Sequence, residues 1–455
     1  MQFPDHIFKS YDIRGLTNGE LSEQLAYQLG RAFVRFIKEQ DSDITKKSLI
    51  IGRDMRQSGD IFYPAVIKGI TDEGINVIAI GNTTTPIFNF ACANYDSHAG
   101  GIMVTASHNP AEYNGFKITL GNGMAVGKGS GMEKLRQYVE EVPKDYPGGG
   151  IVQEKDILPD YLERISKLVT IDPQKRKKIV IDAGNGMAYV SFPELVKRLP
   201  LDVEFLFIDP DGTFPNHEAN PLKVETLKDL QQKVKDTNSD FGFALDADCD
   251  RIGIVDNNGE IVDASFVAGL IGFQVLQSHP KATMLVDLRS SMIVPEMWQQ
   301  QGAVVHTSKV GHANIKPMMK EYDAAFASEL SLHLYFKDMY NVESSELCLL
   351  HFINILQQTD RPLSEIILPL QKYAHSGEIN FDVEEKDAVI ENIEYTYKDQ
   401  AKEISHLDGL KMIFDWGWVS IRKSNTEPVL RLTLEAKDPK IMKEKVQEFS
   451  NILLS

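Results

Sequence analysis

Three carboxylates stand at alternate positions in Asp246-Ala-Asp248-Cys-Asp250-Arg251, directly after the apolar run Phe241-Gly-Phe-Ala-Leu245. Charges so close repel one another unless a cation gathers them, and oxygen-only ligands suit Mg²⁺, a hard ion that keeps places for water or a phosphate oxygen. Cys249 does not match such a site, because a thiolate is a soft ligand. The plainer alternative is a solvated acidic turn.

A second stretch, from Gly101 to Lys117, runs a short apolar strand into Ser107-His108-Asn109-Pro110 and turns back at Asn114-Gly115. A hydroxyl set among donors and a cation is an oxygen nucleophile in waiting. The same serine fits an ordinary strand-to-helix connection in which it caps the next helix. Near the carboxyl end, Arg422-Lys-Ser424-Asn425-Thr426-Glu-Pro428 supplies the guanidinium, hydroxyls and amide that a phosphate cradle needs, although a polar hairpin loop has a similar composition. Glu329, Ser331 and His333 alternate, so in an extended segment all three face one way. A carboxylate beside a hydroxyl and an imidazole can hold vicinal sugar hydroxyls and offer a titratable group. Tyr11-Asp-Ile-Arg14-Gly15 reads by itself as a capped turn.

These stretches sit at the ends of regular elements. Leu25, Leu29, Ala32, Phe33 and Phe36 recur at helical spacing and predict a helix over 20–38. Strand-like Ser48-Leu-Ile-Ile51 ends in Gly-Arg-Asp54, Lys178-Ile-Val-Ile181 runs into Asp-Ala-Gly-Asn-Gly186, and Thr283-Met-Leu-Val286 runs into Asp-Leu-Arg-Ser-Ser291. Apolar strands that end in glycine or charge are where open α/β sheets bind ligands, and at least three successive α/β units follow. The Tyr-Pro-Gly-Gly-Gly stretch within 143–150 reads as a linker, and further boundaries fall near the turn Asp256-Asn-Asn-Gly259 and near 368–376. The expected units are 1–148, 149–256, 257–370 and 371–455. In the last, Leu430, Leu432 and Leu434 alternate with Arg431, Thr433 and Glu435, predicting a smaller α+β domain with one covered sheet face.

The totals narrow the function. A chain of 455 residues holds three or four domains, and its net charge of −17, from 65 acidic against 48 basic residues, opposes a nucleic-acid surface. An anionic substrate must then be drawn by a local cationic pocket or a metal. Cys92, Cys249 and Cys348 are few and far apart, and read as reduced thiols. The amino terminus carries no apolar signal core, and the longest apolar stretch, 264–276, is too short to span a bilayer. A cytoplasmic protein without membrane or nucleic-acid partners is expected.

Together the stretches resemble the α-D-phosphohexomutase family. Thr105-Ala-Ser-His-Asn-Pro110 is similar to its phosphoserine loop, 246–251 to its magnesium loop, 329–333 to its sugar-specificity loop and 422–428 to its phosphate-binding loop. Phe214-Pro-Asn-His-Glu-Ala-Asn-Pro221 and Gly52-Arg-Asp54 also resemble family segments. The resemblance implies three related α/β domains with mixed sheets plus a smaller C-terminal α+β domain, arranged around a central cleft to which each gives one loop. It implies a monomer that interconverts hexose 1-phosphates and 6-phosphates through a hexose 1,6-bisphosphate, with the phosphoryl group resting on Ser107. In that scheme Ser107, Asp246, Asp248 and Asp250 hold one Mg²⁺, and Arg251 offsets phosphoryl charge. Lys117 and His333 are candidates for moving the hydroxyl proton, and His108 supports the phosphoserine. Arg422, Ser424, Asn425 and Thr426 hold the non-reacting phosphate, while Tyr11, Arg14, Arg289 and His312 line the cleft with Glu329 and Ser331 on the sugar. The third loop resembles the phosphomannomutase/phosphoglucomutase branch, since glucosamine-phosphate mutases typically have glutamine where Leu330 stands. A mutase for amino sugars, a sugar-phosphate phosphatase and a non-catalytic sugar-phosphate binder are the competing readings, and intact Ser107, the three aspartates and Arg251 speak against the last. Three positions depart from the family's habit: Ser328 and Leu332 stand where glycine is usual, and Arg289 where lysine is common.

Overall fold

The computed structural model describes residues 3–454 apart from 42, 142–145 and 425–428. Four sheets follow one another along the chain. The first is mixed, with six strands in the order Ile13–Leu16, Tyr113–Leu120, His98–Val104, Ser48–Arg53, Asn76–Asn82, Val152–Glu154. Its central strands run parallel, and Tyr113–Leu120 folds back antiparallel on His98–Val104. The last strand comes from beyond the glycine-rich stretch and pairs parallel with Asn76–Asn82 at the sheet edge. Its three residues are all exposed, so no apolar pattern marks them as a strand in the sequence.

The helix expected over 20–38 spans Glu23–Lys38, because Ser22 caps it by accepting a hydrogen bond from Leu25 N at 3.1 Å. It packs on Gly59–Asp72 at a distance that glycines set. A Cβ on Gly69 would stand 2.1 Å from Tyr27 O, and one on Gly30 would stand 2.4 Å from Val66 O.

The second sheet has the order Ile252–Asp256, Phe241–Leu245, Lys177–Asp182, Leu201–Leu206, and the third has Val304–Ser308, Thr283–Asp287, Phe326–Ser328, Leu334–Phe336, Val342–Glu343. Each keeps a parallel centre with an antiparallel side. One buried apolar cluster, with Phe88, Phe90, Tyr161, Phe243, Trp298 and Phe352 among its members, runs through all three of these layers. Parts joined by a shared core of that kind hold their loops in fixed relation.

The fourth sheet is antiparallel throughout, carries the helices Lys386–Tyr397 and Pro439–Leu453, and has its own core. The expectation of a single covered face needs correction. Glu435 is fully buried on the opposite face, where Oε2 accepts Met292 N at 2.8 Å and Trp418 Nε1 at 3.0 Å. The third domain's 287–292 segment covers that end of the sheet, a contact that alternation along one strand cannot reveal. Cys92, Cys249 and Cys348 are buried free thiols, and among the described residues no helix is long and apolar enough to cross a membrane.

His351 lies buried on the helix Ser345–Thr359 with its ring stacked on Phe336, centroids 5.7 Å apart. Burial lowers its pKa to about 3. The unfolded chain therefore binds a proton near pH 6.5 that the fold refuses, and stability falls as pH drops from there toward 3, by about 1.4 kcal/mol per unit. His351→Leu should flatten that acid limb of urea-unfolding stability while changing little at pH 8.

Candidate active site

Ser107 caps no helix. After His98–Val104 the chain makes tight turns and returns as the strand Tyr113–Leu120, so the helix-cap alternative falls away. The serine is held in the left-handed region (φ 49°), 2% exposed, with its amide donating to Thr105 Oγ1 at 2.9 Å. A serine stays in this sparsely populated backbone region only where its surroundings fix it. Its hydroxyl donates to Asp246 Oδ2 at 2.8 Å and lies 3.3 Å from His108 Nδ1. Burial, with Arg251 and Arg14 nearby, keeps the His108 pKa well below its usual value, so the ring beside the hydroxyl is neutral.

The device that fixes the loop is Arg56. One buried guanidinium donates to four backbone carbonyls, those of Ser107 (2.7 Å), Asn109 (2.5 Å), Pro110 (2.7 Å) and Tyr113 (3.0 Å). Its Nε reaches Asp54 Oδ2 at 3.2 Å, and that carboxylate also accepts Thr105 Oγ1 at 2.7 Å. Phe214 lies against the guanidinium face, 5.1 Å from its ring centroid. The segments Gly52-Arg-Asp54 and 214–221 thus act behind the serine, and the first stops two residues short of the group that matters. A planar fork with five donors is the side chain that can gather several carbonyls at once.

Asp246, Asp248 and Asp250 are no solvated turn. They are 0%, 0% and 5% exposed, and one oxygen from each lies within 4.8 Å of the others. Asp246 Oδ1 accepts the amides of Asp250 (3.0 Å) and Arg251 (3.1 Å), which closes the loop on itself around Cys249 at φ 62°. Ser345 steadies that residue from the third domain, donating to Cys249 O at 2.6 Å. Burial lifts the Cys249 thiol well above its usual pKa, so it stays protonated and inert. Lys117 bridges the acids, with Nζ 2.6 Å from Asp248 Oδ2 and 2.5 Å from Asp250 Oδ2. Burial opposes its charge, but Asp248, Asp250 and Asp246 outweigh that and raise its pKa far above the lysine norm. Burial and the two neighbouring carboxylates push Asp246 up. Asp250 is held well below the carboxylate range: burial works against it, and Lys117 and His333 prevail. Asp248 Oδ1 is buried with no hydrogen-bond partner among the described residues. Three carboxylates this close, two of them with an oxygen that has no hydrogen-bond partner among the described residues (Asp248 Oδ1 and Asp250 Oδ1), fit a hard metal cation.

The third loop is not extended. A tight turn joins Phe326–Ser328 to Leu334–Phe336, with Glu329 N donating to His333 O at 3.0 Å and Leu332 at φ 69°. A leucine there costs about 1 kcal/mol that glycine would avoid, which explains why glycine suits the position. Leu332 is itself buried, and its carbonyl accepts Ile252 N at 3.4 Å, tying this turn to the strand after the aspartates. The three predicted groups still meet, by the turn rather than by alternation. Ser331 Oγ is 3.0 Å from His333 Nδ1, and Glu329 Oε2 is 3.5 Å from that nitrogen while accepting Tyr335 OH at 2.6 Å. His333 Nε2 stands 3.3 Å from Arg251 Nε and 3.3 Å from Asp250 Oδ1.

Around this centre Arg14 donates to Asn109 Oδ1 at 2.6 Å and pairs with Asp12. Tyr11 OH donates to Val310 O at 2.9 Å, with its ring edge-on to His312. Burial, with Lys316 and His333 close by, holds the His312 pKa well below normal, and its buried Nε2 has no hydrogen-bond partner among the described residues. Arg289 is clamped by Asp287, with Nη2 at 2.5 Å and Nε at 3.2 Å, and the same carboxylate accepts Leu330 N at 2.9 Å. Asp287, the charged residue on which the apolar run 283–286 ends, therefore couples Arg289 to the sugar turn. Arg422, next to last in the strand Gly417–Lys423, donates to Glu378 Oε2 at 2.8 Å, and Ser424 N donates to Val429 O at 3.0 Å. Asn425 and Thr426 lie outside the described residues.

Family models described as "Phosphoglucomutase/phosphomannomutase" match the chain in four consecutive parts: alpha/beta/alpha domain I over 5–145, domain II over 159–259, domain III over 264–373 and the C-terminal domain over 378–452. The chain is 35% identical to a protein named phosphomannomutase from Methanocaldococcus jannaschii, over 98% of this chain and 97% of that protein. It is 34% identical to a phosphomannomutase/phosphoglucomutase of Pseudomonas aeruginosa strain PAO1, over 95% and 92%. A solved phosphoglucomutase/phosphomannomutase family protein from Burkholderia thailandensis superposes with a TM-score of 0.91 at 30% identity, covering 99% of this chain and 98% of that one.

Arg56→Leu should strand Asp54 and free four carbonyls. A loss of about 3–5 kcal/mol in urea-unfolding stability is expected, together with loss of whatever activity depends on the serine.

Proposed function

We propose that this chain, which belongs to the phosphoglucomutase/phosphomannomutase family, interconverts hexose 1-phosphates and 6-phosphates of mannose and glucose by means of a phosphoryl group carried on Ser107. The observation that carries the reading is the Ser107 hydroxyl donating to Asp246 at 2.8 Å within a buried acidic triad that a cation must balance. A serine in that place gains little as a mere structural link, because its hydrogen bond goes to one of the three carboxylates that a metal would also claim.

The phosphoryl group on Ser107 and the three aspartates would hold Mg²⁺, one per chain, which would supply positive charge at the phosphoryl oxygens. The chain's own groups do the remaining work. In the forward direction the Ser107 Oγ–P bond breaks as the free hydroxyl of a hexose 1-phosphate bonds to phosphorus, and the hydroxyl proton leaves toward His333, which Ser331 and Glu329 orient. The hexose 1,6-bisphosphate then turns over, its other phosphate returns to Ser107 Oγ, and the proton goes back to the sugar oxygen. Arg251, 3.9 Å from Asp246 Oδ2, lies where transferring phosphoryl charge needs a counter-ion. Lys117, beside Asp248 and Asp250, supplies positive charge at the centre and is the other candidate for moving the hydroxyl proton. Arg422, Ser424, Asn425 and Thr426 hold the phosphate that is not reacting, and Tyr11, Arg14, Arg289 and His312 close the walls. The wall must accept the sugar in two orientations, which favours charge and hydrogen-bond recognition over close apolar fit.

The three buried free thiols suit the cytoplasm, and no self-association is required by a site that the single chain completes. The sugar turn carries leucine rather than glutamine at 330, which favours neutral hexoses over amino sugars.

With Mg²⁺ and catalytic glucose 1,6-bisphosphate, coupled assays should convert glucose 1-phosphate and mannose 1-phosphate to their 6-phosphates, with glucosamine 1-phosphate far slower. Chelation of the metal should abolish turnover, and Ser107→Ala should lower kcat by at least about 10³-fold. Release of inorganic phosphate at the rate of sugar turnover would instead mark a phosphatase.

A further inference from the structure

Glu378 sits at the centre of three guanidinium groups. Its Oε2 is 2.8 Å from Arg422 Nη2 and 3.3 Å from Arg289 Nη1, and its Oε1 is 3.0 Å from Arg431 Nη1. Arg422 and Arg431 are direct cross-strand partners, a like-charge pairing that destabilises a sheet unless an anion lies between them. Arg289 comes from the third domain, so one carboxylate holds the third and fourth domains together. It is aimed there by a bulge: the pairing of Ala374–Phe381 slips between His375 and Glu378, with Gly377 at φ 67°. The side chains of Arg422, Arg289 and Arg431 are 3%, 7% and 18% exposed, and Arg422 Nε is buried without a hydrogen-bond partner among the described residues. Asp287 holds Arg289 from its other side, so three guanidiniums against two carboxylates leave a net positive charge, which an incoming phosphate would complement.

We infer that Glu378 is a resident stand-in for the non-reacting phosphate, a carboxylate that keeps the three arginines and two domains assembled between turnovers and yields its guanidinium contacts when a phosphate arrives. Glu378 is in that case a positioning residue that weakens phosphate binding in exchange for fast release, which a sugar bisphosphate that must turn over in place requires. Only the identity of the incoming anion depends on the mutase reading; the exchange between carboxylate and a tetrahedral dianion does not.

Sulfate binding by titration calorimetry tests this directly. Glu378→Gln should bind sulfate roughly 10-fold or more tighter than the wild type, and Glu378→Asp, whose carboxylate is drawn back by one methylene, should fall between them. Adding Arg422→Ala to Glu378→Gln should remove the gain. In sugar turnover Glu378→Gln should lower KM and kcat together, as products leave more slowly. Equal or weaker sulfate binding by Glu378→Gln, with loss of stability, would show a plain structural ion pair and overturn the inference. If that variant fails to fold, Glu378→Asp decides by the same comparison. A wild type without mutase activity would remove the proposed function and leave the sulfate result standing.

Discussion

Three carboxylates buried within 4.8 Å of one another are the constraint on which the rest of the structure depends. Left alone they would repel and draw in water or protons, so the fold surrounds them with compensation from every side. Lys117 reaches in from the first sheet, while amides of the loop itself satisfy Asp246. Thr85, at the start of the helix Thr85–Ala93, donates its hydroxyl to Asp248 Oδ2 at 2.6 Å and its amide to the Asp248 backbone carbonyl at 2.9 Å, where the helix end is positive. The Ser107 hydroxyl is one more donor in this shell, and that is why it lies where phosphoryl chemistry would need it.

From that centre a line of direct contacts runs outward through the chain. Asp246 and Asp250 meet Arg251 and His333, the sugar turn meets Asp287 through Leu330, Asp287 clamps Arg289, and Arg289 shares Glu378 with Arg422. The first three domains share a continuous apolar core, whereas the fourth has its own and meets the third largely through polar groups such as Lys411 Nζ on Leu288 O and His375 on Arg289 O. Burial lowers the Lys411 pKa to about 8. Apolar packing fixes relative position, and polar seams can re-form. The charge that responds to an incoming phosphate therefore lies at the seam best able to rearrange.

The fold class was legible because each α/β unit repeats one local rule: an apolar strand, then glycine or charge, then a helix. The acidic triad was legible because three like charges directly after a buried strand call for a cation to gather them. What spacing could not supply was reach across the chain. Ser107 alone fitted a helix cap as well as a nucleophile, and only the hairpin return to Lys117 settled its backbone. Glu329, Ser331 and His333 come together by a turn with a left-handed Leu332, where alternation suggests an extended strand. Arg56 and Asp287 act on backbone groups far along the chain, and Glu378 acts through a bulge, so none of the three leaves a periodic signal. Asp287 stands at a strand end that its charge already marks, and Arg56 lies two residues beyond Gly52-Arg-Asp54.

Ser107 as the carrier of the transferred group is the claim on which the proposed chemistry stands. Incubation with glucose 1,6-bisphosphate bearing labelled phosphate, followed by peptide mapping and a chase with unlabelled glucose 1-phosphate, reads this step in isolation. The label should appear on the peptide containing Ser107, with one phosphate per chain at most, and the chase should move it to sugar phosphate rather than to free phosphate. Label on another residue, or its loss to water during the chase, would contradict that role.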